Sequence, residues 1–131
     1  MFKDKDMATQ QIDLFYELKI KEGKAQELRE IAKEMVSFIK NGEPNTQVYN
    51  VYISEDEKLL TYWETHADSE ALMFHADRFA NGDYIGQVLE RTEGARLCFF
   101  GEVSRAMRQW AEKNGFEVEH ANLIDGFRRE T

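Results

Sequence analysis

Residues 12–44 read IDLFYELKIKEGKAQELREIAKEMVSFIKNGEP, and the hydrophobic period changes once within them. From Ile12 to Ile20, the residues Ile12, Leu14, Tyr16, Leu18 and Ile20 alternate with Asp13, Phe15, Glu17 and Lys19. A period of two makes this a strand with one strongly apolar face, and Phe15 is the one large apolar group on the other face. Lys21 to Lys24 breaks the alternation, with Gly23 permitting the turn. From Lys24 to Lys40 the apolar residues Ala25, Leu28, Ile31, Ala32, Met35, Phe38 and Ile39 recur at spacings of three and four. That is an amphipathic helix whose other face carries Glu27, Arg29, Glu30, Lys33 and Glu34. Asn41-Gly42 reads as its left-handed stop, and Pro44, the only proline, bars continuation.

Outward from this β-α unit, TQVYNVYIS (46–54) and KLLTYWET (58–65) are rich in β-formers and joined by the short charged link Glu55-Asp56-Glu57, which predicts a hairpin. Asp68 then starts a second helix, with Leu72, His75, Ala76 and Phe79 as its inner stripe. Asn81-Gly82-Asp83 interrupts it, and Tyr84 to Arg91 resumes a helical pattern. A fourth strand, ARLCFFGEV (95–103), is nearly continuous in apolar residues and reads as central or covered on both faces. Ser104 opens a short helix that buries Met107, Trp110 and Ala111 and stops at Asn114-Gly115, and the end of the chain predicts one or two edge strands. The order β-α-β-β-α-β gives an α+β, ferredoxin-like antiparallel sheet with both helices on one face. A single domain over 11–131 is expected, divided into a core (11–104) and a C-terminal helix-strand extension (105–131), behind a flexible tail (1–10).

Composition narrows the function classes. At 131 residues, 42% hydrophobic and 12% aromatic, the chain can bury a core. Its net charge of −8 repels phosphate backbones, so nucleic acid is not an expected partner, and Arg105, Arg108, Arg128 and Arg129 read as a solvated face. No run is long enough to span a membrane and the N-terminus has no secretory pattern. Cys98 is the single cysteine, which excludes an internal disulfide. A cytoplasmic location is expected.

The alternation leaves apolar groups on both faces of the sheet. If Leu14, Tyr16 and Leu18 face the helices, Phe15 faces away, and Tyr62 opposes Trp63 as Phe100 opposes Phe99. An outward face of Phe15, Tyr62 and Phe100 is expected to form a homodimer by packing sheet on sheet, with Tyr16 and Trp63 beneath the second helix. The competing arrangement folds the C-terminal helix over that outer face.

The stretch YWETHADSEALMFHAD (62–77) resembles the central signature of the antibiotic biosynthesis monooxygenase-like domain family: a strand ending in Trp63-Glu64, a helix start, then Ala71-Leu72-Met73-Phe74-His75 on the helix. The element order of residues 11–104 is similar throughout, and the tail looks like a subgroup's extension. The resemblance implies a dimeric α/β barrel with an apolar pocket between helices and sheet. It also implies oxygenation of a small aromatic, quinol-type or polycyclic phenolic substrate without metal or flavin cofactor. In that reading His75 is the catalytic base and Trp63 a ring platform, while Tyr16, Asn50 and Tyr52 are candidate substrate-binding groups. The bland alternatives are a hydrogen-bonded boundary histidine at His75, core filling at Trp63 and rim tyrosines. Asn50 in mid-strand needs a partner or ligand if buried.

His66 and His75 sit on different elements without ligand spacing, so no metal site is expected, and Cys98 reads as a small buried hydrophobe. The haem-degrading branch of the superfamily is disfavoured, because Tyr16, His75 and the region of Ile85 all depart from its pattern. A non-catalytic ligand-binding or signalling dimer on the same fold is the alternative function. A purely structural domain, with no cavity near His75, is the third.

Overall fold

The computed structural model describes residues 10–129. Strand β1 (Ile12–Ile20) lies at the centre of a five-stranded sheet and pairs antiparallel with β3 (Leu59–His66) on one side and β4 (Thr92–Phe100) on the other. Strand β2 (Thr46–Ile53) extends the sheet beyond β3, and β5 (Val118–Ala121) pairs parallel to β4 at the opposite edge. The antiparallel four-strand core is therefore the expected ferredoxin-like sheet, and the extension makes the whole sheet mixed. Residues 1–9 of the expected tail and the last two residues of the expected domain lie outside the described residues.

Helix α1 (Ala25–Gly42) and helix α2 (Ser69–Asn81) cover one face. Leu28, Ile31 and Met35 of α1 and Leu72 and Ala76 of α2 pack with Leu14, Tyr16 and Leu18 of β1 in a single core. Asp68 caps α2 by accepting from the Ala71 N–H at 2.8 Å. Helix α1 does not stop left-handed at Asn41-Gly42: it runs through Gly42, and Glu43, at φ −131 and ψ 81, closes it just before Pro44. This one-residue difference puts the Glu43 side chain inside the protein. Helix α3 (Tyr84–Glu90) follows the break at Gly82.

β4 begins three residues earlier than the apolar run suggests. Gly94, at φ +68, is accommodated as an extra residue where the β1–β4 register shifts, as in a bulge. The strand ends at Phe100 because Gly101 turns the chain against Gln11, whose carbonyl a side chain at this position would strike. Residues 93–96 are exposed, so β4 is not covered on both faces along its length. Ser104 caps helix α4 (Arg105–Lys113) by accepting from the Met107 N–H, and Gly115 at φ +78 supplies the expected left-handed exit. The extension thus packs Met107 and Ala111 against the helix side of the sheet rather than over its outer face.

Pairing fixes which residues share a face, and it moves strand three by one. Tyr16 lies opposite Tyr62, and Phe15 opposite Trp63. Tyr62 is 2% exposed in the core, whereas Trp63 joins Phe15 and Phe100 on the outer face, its ring centroid 6.4 and 6.0 Å from theirs. The expected outer face of Phe15, Tyr62 and Phe100 is corrected to Phe15, Trp63 and Phe100. The apolar alternation misleads here because the inward residues after Leu60 and Tyr62 are Glu64 and His66, which a hydrophobicity pattern assigns to solvent.

Candidate functional site

Between α2, α4 and the inner face of the sheet lies a cavity of about 50 Å³. Its walls are mainly apolar and aromatic, including Phe79 on α2, Phe99 on β4 and Trp110 and Phe116 from the extension. Tyr16, Tyr49 and Tyr62 turn their rings into it, and burial raises all three phenol pKa values, which keeps them neutral. The wall groups that carry charge are Glu64 of β3 and His75 of α2.

Beneath that wall is a buried charge network. His75 Nδ1 is 2.8 Å from Glu43 Oε1, and His75 Nε2 is 3.1 Å from Glu64 Oε1. His66 Nε2 approaches the same Glu64 oxygen at 2.8 Å. Thr46 Oγ1 donates to Glu43 Oε1 at 2.9 Å and lies 3.1 Å from His66 Nδ1. Arg78 donates to Glu43 Oε2 at 2.9 Å, its guanidinium lying over Phe38 and against the bare Cα of Gly42. Two carboxylates are thus balanced by cationic side chains and hydrogen bonds, which burial at this depth demands.

Burial opposes charge on Glu64, yet the charges and N–H groups of His75 and His66 outweigh it and lower its pKa to about 2. Burial likewise pulls His75 down, and the charge of Glu64 with the hydrogen bonds His75 donates to both carboxylates raises it to about 10. Glu43 is also lowered, against its burial, chiefly by the hydrogen bond to His75. At neutral pH the network holds His75 as an imidazolium between two carboxylates.

Of the residues singled out from the sequence, His75 and Tyr16 line the cavity. Trp63, Asn50 and Tyr52 do not. Trp63 is on the outer face, and Asn50, opposite it in β2, is exposed and donates to the Tyr52 hydroxyl at 3.4 Å on that same side. Their neighbour Tyr49 takes the inward position. Cys98 is buried, as expected. His66 and His75, separate in sequence, are brought to 4.9 Å between ring centroids, and with Glu64 they form the one candidate metal-ligating group among the described residues. Its signal was the strand parity that Leu60, Tyr62, Glu64 and His66 share, masked because the two polar residues read as solvent-facing. Glu43 offered none, because its burial depends on where α1 ends.

No protein-family model and no curated protein matches the chain. Solved structures do. MupZ from Pseudomonas fluorescens superposes with a TM-score of 0.77 at 12% identity, over 92% of this chain and 95% of MupZ. Rv0793 from Mycobacterium tuberculosis gives 0.61 at 19% identity over 73% of this chain and 98% of its own. A candidate antibiotic biosynthesis monooxygenase from Caulobacter crescentus gives 0.59 at 20% identity over 78% and 99%. The chain has the antibiotic biosynthesis monooxygenase-like fold. The latter two proteins cover little more of this chain than the core of that fold makes up. MupZ covers more than the core, so part of the extension that walls the cavity has a counterpart there.

Proposed function

We propose that the chain is an oxidoreductase of the monooxygenase type acting on a small phenolic or quinol-type ring held in the cavity. The observation that supports this reading is an apolar, aromatic-lined cavity whose wall carries a carboxylate and an imidazole in contact beside three neutral phenols, on a fold shared with candidate monooxygenases. The purely structural alternative has no support, since a cavity adjoins His75.

The reaction converts a ring C–H opposite a phenol hydroxyl into a carbonyl, giving a quinone. One hydrogen leaves the carbon and one the hydroxyl, one atom of O2 enters the product and the other departs as water, so no external reductant is needed. The protein's task is to stabilise the substrate anion and to exclude water. His75, its two N–H groups held by Glu43 and Glu64, stabilises the developing oxyanion through its positive charge rather than acting as a free base. Glu64, the carboxylate on the cavity wall, receives the substrate proton and in doing so gives up its pairing with His75 and His66. Tyr16 and Tyr49 orient the ring. Trp63, Asn50 and Tyr52 have no part in this arrangement within one chain.

Size restricts the substrate. An engineered cavity that takes up one benzene ring is about 150 Å³, three times the space here. Polycyclic phenols are therefore the weaker reading, and a single ring requires the wall of Trp110 and Phe116 to give way.

Oxygen uptake against a panel of quinols and hydroxylated single rings tests the proposal. Turnover should fall at least about 100-fold in His75→Ala, the usual scale for a lost proton-handling or oxyanion group. Undiminished turnover in that variant would remove His75 from the mechanism, and ligand binding with no oxygen consumed would favour the non-catalytic alternative.

A further inference from the structure

The network is laid out as a set of metal ligands with their supporting groups, and this follows from a census of donors and acceptors. Thr46 has one hydroxyl proton, and it goes to the Glu43 carboxylate, which can only accept. Its oxygen therefore accepts from His66, and His66 Nδ1 carries a hydrogen. His75 Nδ1 likewise faces the same Glu43 oxygen and carries a hydrogen. Both rings are pinned through Nδ1 by the residues that close α1 and open β2. Both Nε2 atoms are left aimed at a single oxygen, Glu64 Oε1, at 2.8 and 3.1 Å.

Two nitrogen lone pairs and a carboxylate oxygen this close require positive charge among them. Hydrogens supply it only by entering both N···O contacts at once, between rings whose centroids are 4.9 Å apart. A single divalent ion supplies it at once. Histidines fixed through one nitrogen by a carboxylate or hydroxyl, with the other nitrogen converging on a carboxylate, are what an ion site asks of its first and supporting shells. The spacing to the carboxylate fits as well. Ligands about 2.1 Å from an ion stand about 3.0 Å apart at octahedral and about 3.4 Å apart at tetrahedral angles, and the two nitrogens lie 2.8 and 3.1 Å from the Glu64 oxygen.

We infer that Glu64, His66 and His75 form a binding site for a divalent first-row transition ion, with its open coordination positions facing the cavity. Two histidines and one carboxylate with vacant positions suit iron(II) and cobalt(II), and also zinc. His66 is fully buried behind the ion position, so ligands from solution reach the ion only from the cavity side, where Glu64 and His75 lie. The inference rests on the proposed function in taking this cavity as the active site; in the ion-bound chain His75 and Glu64 are ligands, so their charge-stabilising and proton-accepting roles belong to the ion-free chain.

The test uses the full chain stripped with chelator, then titrated anaerobically with Co2+ and followed by calorimetry and visible absorption. One Co2+ per chain is expected, with d–d bands that mark nitrogen ligation. His66→Gln should weaken binding at least 100-fold. If that variant does not fold, Thr46→Val removes only the group that holds His66 and should weaken Co2+ binding about 10- to 100-fold. Absence of d–d bands in the natural protein, or affinity unchanged in whichever variant folds, overturns the site. Oxygen uptake by the stripped protein separates the two ideas. Turnover without any Co2+ binding defeats the metal site and leaves the proposed function standing. Co2+ bound as described, with no substrate turned over in either form, defeats the proposed function and leaves the metal site standing.

Discussion

Glu64 shows how one side chain acquires its properties from its neighbours. By composition it is an acidic residue on a strand, and by alternation it shares the inward parity of Leu60 and Tyr62. Inside, it keeps its charge only because two histidine nitrogens converge on it. This has a measurable consequence in the metal-free chain. Glu64 is lowered from 4.5 to about 2, so its stabilisation is present above the ordinary value and lost as pH falls toward 2. His75 is raised from 6.5 to about 10, so its stabilisation is complete below the ordinary value and lost as pH rises toward 10. Urea unfolding of chelator-treated protein should show greatest stability between about pH 4.5 and 6.5, declining on both sides. Stability that is level from pH 6.5 to 9 would contradict an imidazolium at His75. His75 and Tyr16 were legible as candidates because their apolar neighbours fix their faces. Glu64 and His66 were not, because polar residues on a buried parity carry no hydrophobic signal.

At the scale of the element, helix α4 decides the size of the cavity. Its inner residues Met107 and Ala111 anchor it to the core, and Trp110 donates from its indole N–H to Asp77 of α2 at 2.7 Å. Phe116 stacks on Trp110 with ring centroids 5.7 Å apart, held there by the left-handed turn at Gly115. Trp110→Ala should cost about 1–3 kcal/mol of stability, below a fully buried aromatic because Trp110 is half-exposed. It should also enlarge the cavity, so that thermal-shift measurements show larger gains with two-ring than with one-ring phenols, relative to the unaltered chain. An unchanged ligand preference would place the wall elsewhere. The sequence predicted this helix, its cap and its stop, but not that its aromatic face closes a cavity, since that depends on its contact with α2.

At the scale of the molecule, two of the apolar surfaces among the described residues lack cover in a single chain. One is the outer sheet face, where Trp63 and Phe100 are each 36% exposed beside Phe15. The other is the end of the extension, where Leu123, Ile124 and Phe127 are 64%, 100% and 80% exposed and Arg128 pairs with Asp13 of β1 at 2.6 Å. A homodimer that packs these outer faces together would remove both from water, and such patches commonly mark interfaces. Light scattering at micromolar concentration should give twice the chain mass, and Trp63→Glu should halve it by setting two buried charges against each other. A monomeric natural chain would defeat this assembly.

By itself the sequence determined the order of elements, the antiparallel core and the helices on one side, because hydrophobic period and turn chemistry are local properties. It also pointed to His75 and Tyr16. Only the tertiary structure decided that Trp63 faces outward with Asn50 and Tyr52, and that Tyr49 and Tyr62 face the cavity. It alone brought Glu43, Glu64, His66 and His75 together from four places in the chain. The physical reason is that a buried charge is stabilised by partners distant in sequence, so its inward position appears only once strand register and helix ends have fixed where those partners stand.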